Sequence, residues 1–358
     1  MNRHKLSMLL FVVCLVLGGG VIHAQEGKTP TNVTLEPYSG NPVIPRGAEG
    51  EWDAGFTYGG QVIYQDGLFH MFYAGGEDFS IQPSAIGYAT SEDGLTWTKY
   101  EGNPILELDP ARASNGIRMA VPVVDGDTWI LYLNPHERYD VADQSLSILR
   151  ATASSPEGPW TIDDQPVMEA SGGRDWDGHL VAANAVLKVD QDYILYYDAY
   201  GSFGAVGRAT SPDGITWTKY DDPETTKAQF RESDPVFVGT ESGAWDGGDN
   251  IDPATVRLGD NGWEMFYTGW GASWFDYFGG GGTCDEIPAG IGFAYSGDGI
   301  HWTRYGTDPL LPCEDETMVP QISSVVVVDG RYYLYYSIFN TYPAQSEIGV
   351  AAVTIDWN

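Results

Sequence analysis

The stretch IGYATSEDGLTWTKYEGNPIL, from Ile86 to Leu106, decides the fold. It returns as VGRATSPDGITWTKY (Val206–Tyr220) and as IGFAYSGDGIHWTRY (Ile291–Tyr305). A worn copy, ILRATASSPEGPWTI, runs from Ile148 to Ile162, and a truncated one, IGVAAVTI, starts at Ile348. Each copy reads as a strand, a tight turn and a second strand, because apolar and polar residues alternate up to the turn. The Asp-Gly pairs at 93–94, 213–214 and 298–299 supply that turn, Asp bonding its own backbone and Gly tolerating positive φ. Trp97, Trp217 and Trp302 follow, large enough to fill the space between neighbouring sheets.

Upstream of each copy lies a second recurring half. GGQVIYQDGLFHMFYAGG (Gly59–Gly76) is the first and SSVVVVDGRYYLYYS (Ser323–Ser337) the last. Between them stand GIRMAVPVVDGDTWILYLN (Gly116–Asn134), NAVLKVDQDYILYYDAY (Asn184–Tyr200) and DPATVRLGDNGWEMFYTGW (Asp252–Trp270). Each is an apolar strand, an Asp/Gly turn and an aromatic-rich strand. Joined to the downstream pair, they give four antiparallel strands recurring about every 60 residues. The fold class is therefore all-β, a five-bladed β-propeller of four-stranded blades. The last unit lacks an outer strand, and LEPYSGNPVI (Leu35–Ile44) matches WTKYEGNPIL (Trp97–Leu106) in register. We expect this N-terminal strand to complete the last blade and close the ring, which removes an open sheet edge.

Residues 1–24 read as a secretory signal peptide: Arg3, His4 and Lys5, an apolar run at Leu9–Leu17, and a cleavage site before Gln25. Residues 25–358 then form a single propeller domain, without a linker or a second composition regime, and the protein is expected to be secreted, extracellular or periplasmic. The formal net charge of −32 makes nucleic acid and anionic membranes poor partners. No membrane insertion is expected, and the oligomeric state is left open. Only Cys284 and Cys313 survive cleavage, and in an oxidising compartment such a pair is expected to form a disulfide.

Propeller geometry puts the Asp/Gly turns on one face. The segments entering the inner strands, together with the loops after the second strands, fall on the other. That second face carries GEWDAGFTY (50–58), GRDWDGHL (173–180), GAWDGGDNIDP (243–253) and GWGASWFDYFGG (269–280), rich in aromatics, carboxylates and amides. Here the chain resembles the five-bladed propeller glycoside hydrolases of families 43, 32 and 68 and the related family 130 phosphorylases. The resemblance rests on the repeated IGYATSEDGLTW-type unit, on Trp52-Asp53, Trp176-Asp177 and Trp245-Asp246, and on Asp252-Pro253. It implies carboxylates pointing into a central funnel and a carbohydrate substrate. Aligning the inner strands on their turns sets Tyr58 opposite Asp252, with Ile117 or Arg118, Ala182–Asn184 and Gln321 in the other blades, so only blade 4 brings an Asp to a strand entrance.

Glycosidic cleavage needs a carboxylic acid and a carboxylate flanking the scissile bond. The catalytic candidates are Asp252, Asp177 and Asp53. For Asp252 the competing role is a turn-initiating Asx before Pro; for the two Trp-Asp aspartates it is a repeated structural job. His179 and Asn184 near Asp177 offer a proton-transfer partner and a hydroxyl binder. Arg118 is suited to an anionic substrate group, Gln321 and Asp249 are further substrate-binding candidates, and Trp270, Trp274 and Phe275 are suited to stacking on sugar faces. His136-Glu137-Arg138 is a second rim cluster, with Glu137 a further acid candidate. No cofactor is called for and no metal motif is present, although Asp246, Asp249 and Asp252 in a Gly-rich loop could hold a structural calcium ion.

The reading that results is a secreted glycoside hydrolase-like protein acting on oligo- or polysaccharide-derived sugars. A non-catalytic carbohydrate-binding propeller and a phosphate-dependent phosphorylase are the alternatives.

Overall fold

A computed structural model describes residues 28–77, 84–109, 112–113, 116–135, 146–201, 203–241, 243–247, 251–271, 284, 288–313, 318–341 and 344–358, without the side chains of 252, 253, 318, 340, 341 and 344. The expected signal peptide lies outside these residues. So do His136, Glu137, Arg138, Asp249, Trp274 and Phe275.

Five antiparallel sheets follow one another along the chain. Their inner strands are Phe56–Gln65, Ile117–Asp125, Leu180–Val189, Ile251–Gly259 and Met318–Val328. Each pairs with an aromatic-rich second strand, and a third strand follows. A short outer strand, such as Thr98–Lys99 in blade 1, completes blades 1 to 4. In the last blade the outer position is filled by Pro30–Pro37, paired antiparallel to Ala344–Trp357. The closing strand thus starts earlier than the expected Leu35–Ile44, but the chain keeps following the same neighbour as far as the Ile44–Ile348 bridge. The one helical element among the described residues is a 3-10 turn at Ala228–Phe230.

Each Asp-Gly turn is tied by its own side chains. In blade 1 the Asp93 carboxylate accepts from the N–H groups of Leu95 and Thr96, and Ser91 Oγ accepts from Gly94 N. Asp213 and Asp298 repeat the pattern. The turn glycines sit at φ of 73°, 69° and 74°, where a side chain would be strained.

These turns also join the blades. Tyr335 of blade 5 donates to Gly94 O, Tyr132 of blade 2 to Gly214 O, and Tyr196 of blade 3 to Gly299 O, at 2.7–2.9 Å. Trp97, Trp217 and Trp302 meet the same three tyrosines edge-on. Blades 1 and 4 carry Phe72 and Phe266 at the matching position, and each faces a next blade that lacks the Asp-Gly turn. The hydroxyl is present where a carbonyl awaits it.

Candidate functional site

Every inner strand is bulged near its start. Pairing breaks between Tyr58 and Gln61, Ile117 and Met119, Ala183 and Ala185, Ile251 and Ala254, and Ile322 and Ser324. The residues so displaced are Gly59-Gly60, Arg118, Asn184, Asp252-Pro253 and Ser323. A bulge bends a strand and re-aims the side chain it releases. Five of them at one level around the axis shape the mouth of the funnel.

Below that level Gln61, 4% exposed, crosses three blades. Its Nε2 donates to Ser323 O at 2.6 Å and lies 3.0 Å from Met119 Sδ. Above it the Tyr58 hydroxyl donates to Gln321 Oε1 at 2.6 Å, joining blades 1 and 5. Gln321 therefore lies at the axis, as the turn alignment places it, with its carbonyl oxygen already engaged. Arg118 is half-buried at the bulge of blade 2.

Asn184 is 1% exposed and donates through Nδ2 to Asp198 Oδ1, and Asp198 itself is 3% exposed. The sequence reading paired Asn184 with Asp177; the structure pairs it with Asp198. His179 is exposed just before the inner strand of blade 3. Asp252 enters the inner strand of blade 4 at its bulge, so its backbone reaches the mouth.

Asp53 and Asp177 stand elsewhere. Asp53, 1% exposed, accepts from Tyr73 OH at 3.1 Å and from Lys99 Nζ at 2.7 Å. Asp177, fully buried, accepts from Lys219 Nζ at 2.6 Å and from Ser233 Oγ at 3.1 Å. Asp246 repeats the arrangement with Tyr267 OH at 3.1 Å and Arg304 Nε at 2.7 Å. The cations come from the outer strands, the edge of the blade farthest from the axis. Burial, with the Asp53 charge beside it, pushes the Tyr73 hydroxyl well up and keeps it a donor; Tyr267 is raised likewise beside Asp246.

In these three blades Trp52, Trp176 and Trp245 lie over Tyr73, Tyr197 and Tyr267. Directly across from each tyrosine is Gly87, Gly207 or Gly292. A Cβ on Gly87 would come within 2.6 Å of the Tyr73 ring and 2.7 Å of Trp52. Blade 2 lacks the whole set, with Leu133 opposite Leu149 and Ile162 in place of the lysine. Blade 5 keeps Tyr336 opposite Gly349 but has neither the Trp-Asp pair nor the cation, so the Trp, the Asp and the outer-strand cation come and go together, as parts of one packing unit do. The expectation of direct catalysis by Asp53 and Asp177 gives way here to a structural role, since both acids are buried and ion-paired to a lysine of the outer strand, away from the axis.

Trp270 is likewise displaced from its expected role. It is 1% exposed and packs with Ala289, Val319 and Cys313, so it offers no face to a sugar. Cys284 and Cys313 form a disulfide with a Cα separation of 5.7 Å, tying the mouth loop of blade 4 to the start of blade 5. For a calcium ion, Asp246 is a poor ligand because its oxygens hold Arg304, Tyr267 and Thr240. Among the described residues no group of three His, Cys, Asp or Glu could hold a metal, and no helix is long and apolar enough to cross a membrane.

No protein-family model matches the chain. Over 113 residues, 30% of the chain, it is 25% identical to a 1,2-beta-oligomannan phosphorylase of Thermoanaerobacter sp. (strain X514). The matched stretch spans 38% of that relative's length. One similar solved structure comes from work on the GH130 family of mannoside phosphorylases, containing glycoside hydrolases that target beta-1,2 mannosidic linkages in Candida mannan. It has a TM-score of 0.63 and 17% identity, with 88% of this chain and 93% of that chain covered. Another is a beta-1,2-mannobiose phosphorylase from Listeria innocua in complex with beta-1,2-mannobiose, with a TM-score of 0.58, 13% identity, and 89% and 96% covered. At these identities the likeness shows the fold. The resemblance drawn from the repeated unit holds: the neighbours are five-bladed propellers of carbohydrate-active proteins, family 130 among them.

Proposed function

We propose that this chain cleaves β-linked mannosides, β-1,2 linkages foremost, at the bulged mouth of the propeller. The observation that carries the reading is the sequence match to an oligomannan phosphorylase, on a chain whose fold is shared with mannoside-active propellers. Cleavage needs a proton delivered to the leaving oxygen. Asp252 is our choice for that carboxyl group, because its backbone enters an inner strand at the axis. Gln321 and Asn184 contribute amides to the wall of the mouth, and exposed His179 stands on its rim.

Phosphorolysis is the second reading, favoured by the phosphorylases among the relatives and by Arg118 at the bulge of blade 2, whose guanidinium suits a phosphate oxygen pair. We also propose secretion, on the basic start and apolar run ahead of Gln25 together with the disulfide. The mass of the exported protein, starting at Gln25, tests that point.

The deciding experiment incubates the purified protein with β-1,2-mannobiose, longer β-1,2-mannooligosaccharides and β-1,4-mannobiose, each with and without inorganic phosphate. Free mannose without phosphate is the expected result for hydrolysis, and mannose 1-phosphate for phosphorolysis. Binding of the same sugars without turnover would make the propeller a lectin-like module. Neither turnover nor binding of any mannoside would overturn the reading.

A further inference from the structure

The second strands carry a device that the repeat conceals. Asn134, Asp198, Thr268 and Ser337 occupy one position, each following an aromatic or leucine residue directly opposite the third strand's Leu149, Gly207, Gly292 or Gly349. In three of these four blades the side chain reaches into the next blade. Asn134 accepts from Ala183 N and donates to Ala183 O, both at 2.8 Å. Thr268 Oγ1 accepts from Ile322 N at 2.9 Å, and Ser337 Oγ from Gly59 N at 2.9 Å. Each of those amides lies two residues before the one where pairing resumes after the bulge, namely Ala185, Ser324 and Gln61. The side chain takes the place of the ladder bond that the bulge removes.

Blade 1 supplies the control. It carries Ala74 at this position, which has no acceptor, and the matching amide of blade 2, Ile117 N, bonds Ser84 O at 3.0 Å instead.

In blade 4 pairing resumes at Ala254, so the matching amide belongs to Asp252, and the residue facing it from blade 3 is Asp198. We infer that the Asp198 carboxylate accepts the backbone N–H of Asp252 and so fixes where that residue enters the mouth. Asp198 is the one charged group at this position, and Asn184 holds it from its own blade. A charged acceptor makes roughly twice as strong a bond as a neutral one. The strongest of the anchors thus falls on the blade whose bulge carries an acid. Asp198 is a positioning residue, and its effect on turnover rests on the proposed role of Asp252.

The test compares Asp198→Ala with Asp198→Asn, which keeps an acceptor as Asn134 does. Amide hydrogen exchange is read on the fragment covering 251–254, where Pro253 contributes no N–H. The alanine variant is expected to speed exchange at Asp252 about 10-fold or more, and the asparagine variant to leave it slow. With β-1,2-mannobiose, Asp198→Ala should lower kcat about 10-fold at nearly unchanged KM, and Asp198→Asn should restore it. Unchanged exchange in the alanine variant, or equal loss in both, would overturn the inference. If exchange behaves as expected while Asp252→Asn keeps full turnover, the anchor stands and the catalytic assignment falls. Should Asp198→Ala not fold, the unaltered protein decides: its Asp252 amide must be as protected as those of Ala183, Ile322 and Gly59, and a much faster one rejects the contact.

Discussion

Five described aspartates on the mouth side of the propeller fall into two groups. Asp53, Asp177 and Asp246 recur at one point in blades 1, 3 and 4, each buried, each under a Trp-Tyr pair and each neutralised by a cation from the outer strand. Asp198 and Asp252 occur once each, at the seam between blades 3 and 4, on the second strand of blade 3 and the inner strand of blade 4. The first group does the same work three times and disappears from blade 2 together with its partners. The second breaks the repeat. In a molecule built from copies, a polar group that every copy can spare marks scaffolding only when its partners vary with it. One that interrupts the pattern at the axis is where chemistry is to be sought.

Asp177→Ala should give the largest effect, and on stability. It removes a fully buried carboxylate and leaves the Lys219 ammonium, 15% exposed, without its counter-charge. Breaking such a pair costs about 3–5 kcal/mol, to be read in urea unfolding. Replacing both partners, Asp177→Leu with Lys219→Met, should recover most of that loss, since a packed apolar pair avoids the desolvation of two ions. If the single variant unfolds as the wild type does but abolishes turnover, the division between the groups is wrong.

Asp252→Asn should act the other way. Turnover of a β-1,2-mannoside is expected to fall about 100-fold, equivalent to roughly 2.7 kcal/mol, with the melting temperature unchanged. Near-normal turnover would move the acid elsewhere among the mouth residues.

The two groups also differ in how far the sequence exposes them. The Asp-Gly turns, the blade count and the ring closure are written locally, in runs short enough to recognise by eye. The Trp-Asp pairs are equally visible, but their meaning depends on Tyr73, Gly87 and Lys99, scattered over three further strands. Once those strands are stacked by repeat, the shared absence at Leu133, Leu149 and Ile162 is a signal that could have separated structure from catalysis. Asp198 was passed over because its expected partner lies in the next blade, and a single residue in DYILYYD carries no local mark of that. Trp270 was misread for a similar reason: only the fold shows that Val319 and Cys313 cover it.

A smaller effect tests whether the joints between blades are as interchangeable as the repeat suggests. Tyr196→Phe removes the donor to Gly299 O, a bond of 2.7 Å in a fully buried setting. An unpaired buried carbonyl costs about 1–3 kcal/mol. Phe72 and Phe266 already occupy this position in blades 1 and 4 without such a partner, so Phe266→Tyr is expected to bring no gain. A fall in stability for Tyr196→Phe by urea titration, with Phe266→Tyr no better than wild type, would confirm that the hydroxyl is tied to the turn it meets.

The smallest expected effect concerns the turns themselves, and its sign follows from their hydrogen bonds. Asp213 receives the N–H groups of Thr216 and Ile215 and the Ser211 hydroxyl, which together hold its carboxyl down to about 2. A carboxyl whose folded value lies below its unfolded one, about 3.9, contributes stability that is fully present above the unfolded value. That contribution is lost as pH falls through the folded value. Between pH of about 4 and 2, melting temperature should therefore drop in the wild type as Asp213 takes up its proton. In Asp213→Asn the amide oxygen still accepts both N–H groups, but nothing titrates, so the acid limb should be shallower while the neutral plateau is slightly lower. The group is solvent-exposed and screened, which keeps the change small. Asp93 and Asp298 are depressed by like turn contacts, and His301 adds its ring to Asp298. Combining the three Asn variants should add to the flattening; an acid limb as steep as that of the wild type in the triple variant would place its origin outside these turns.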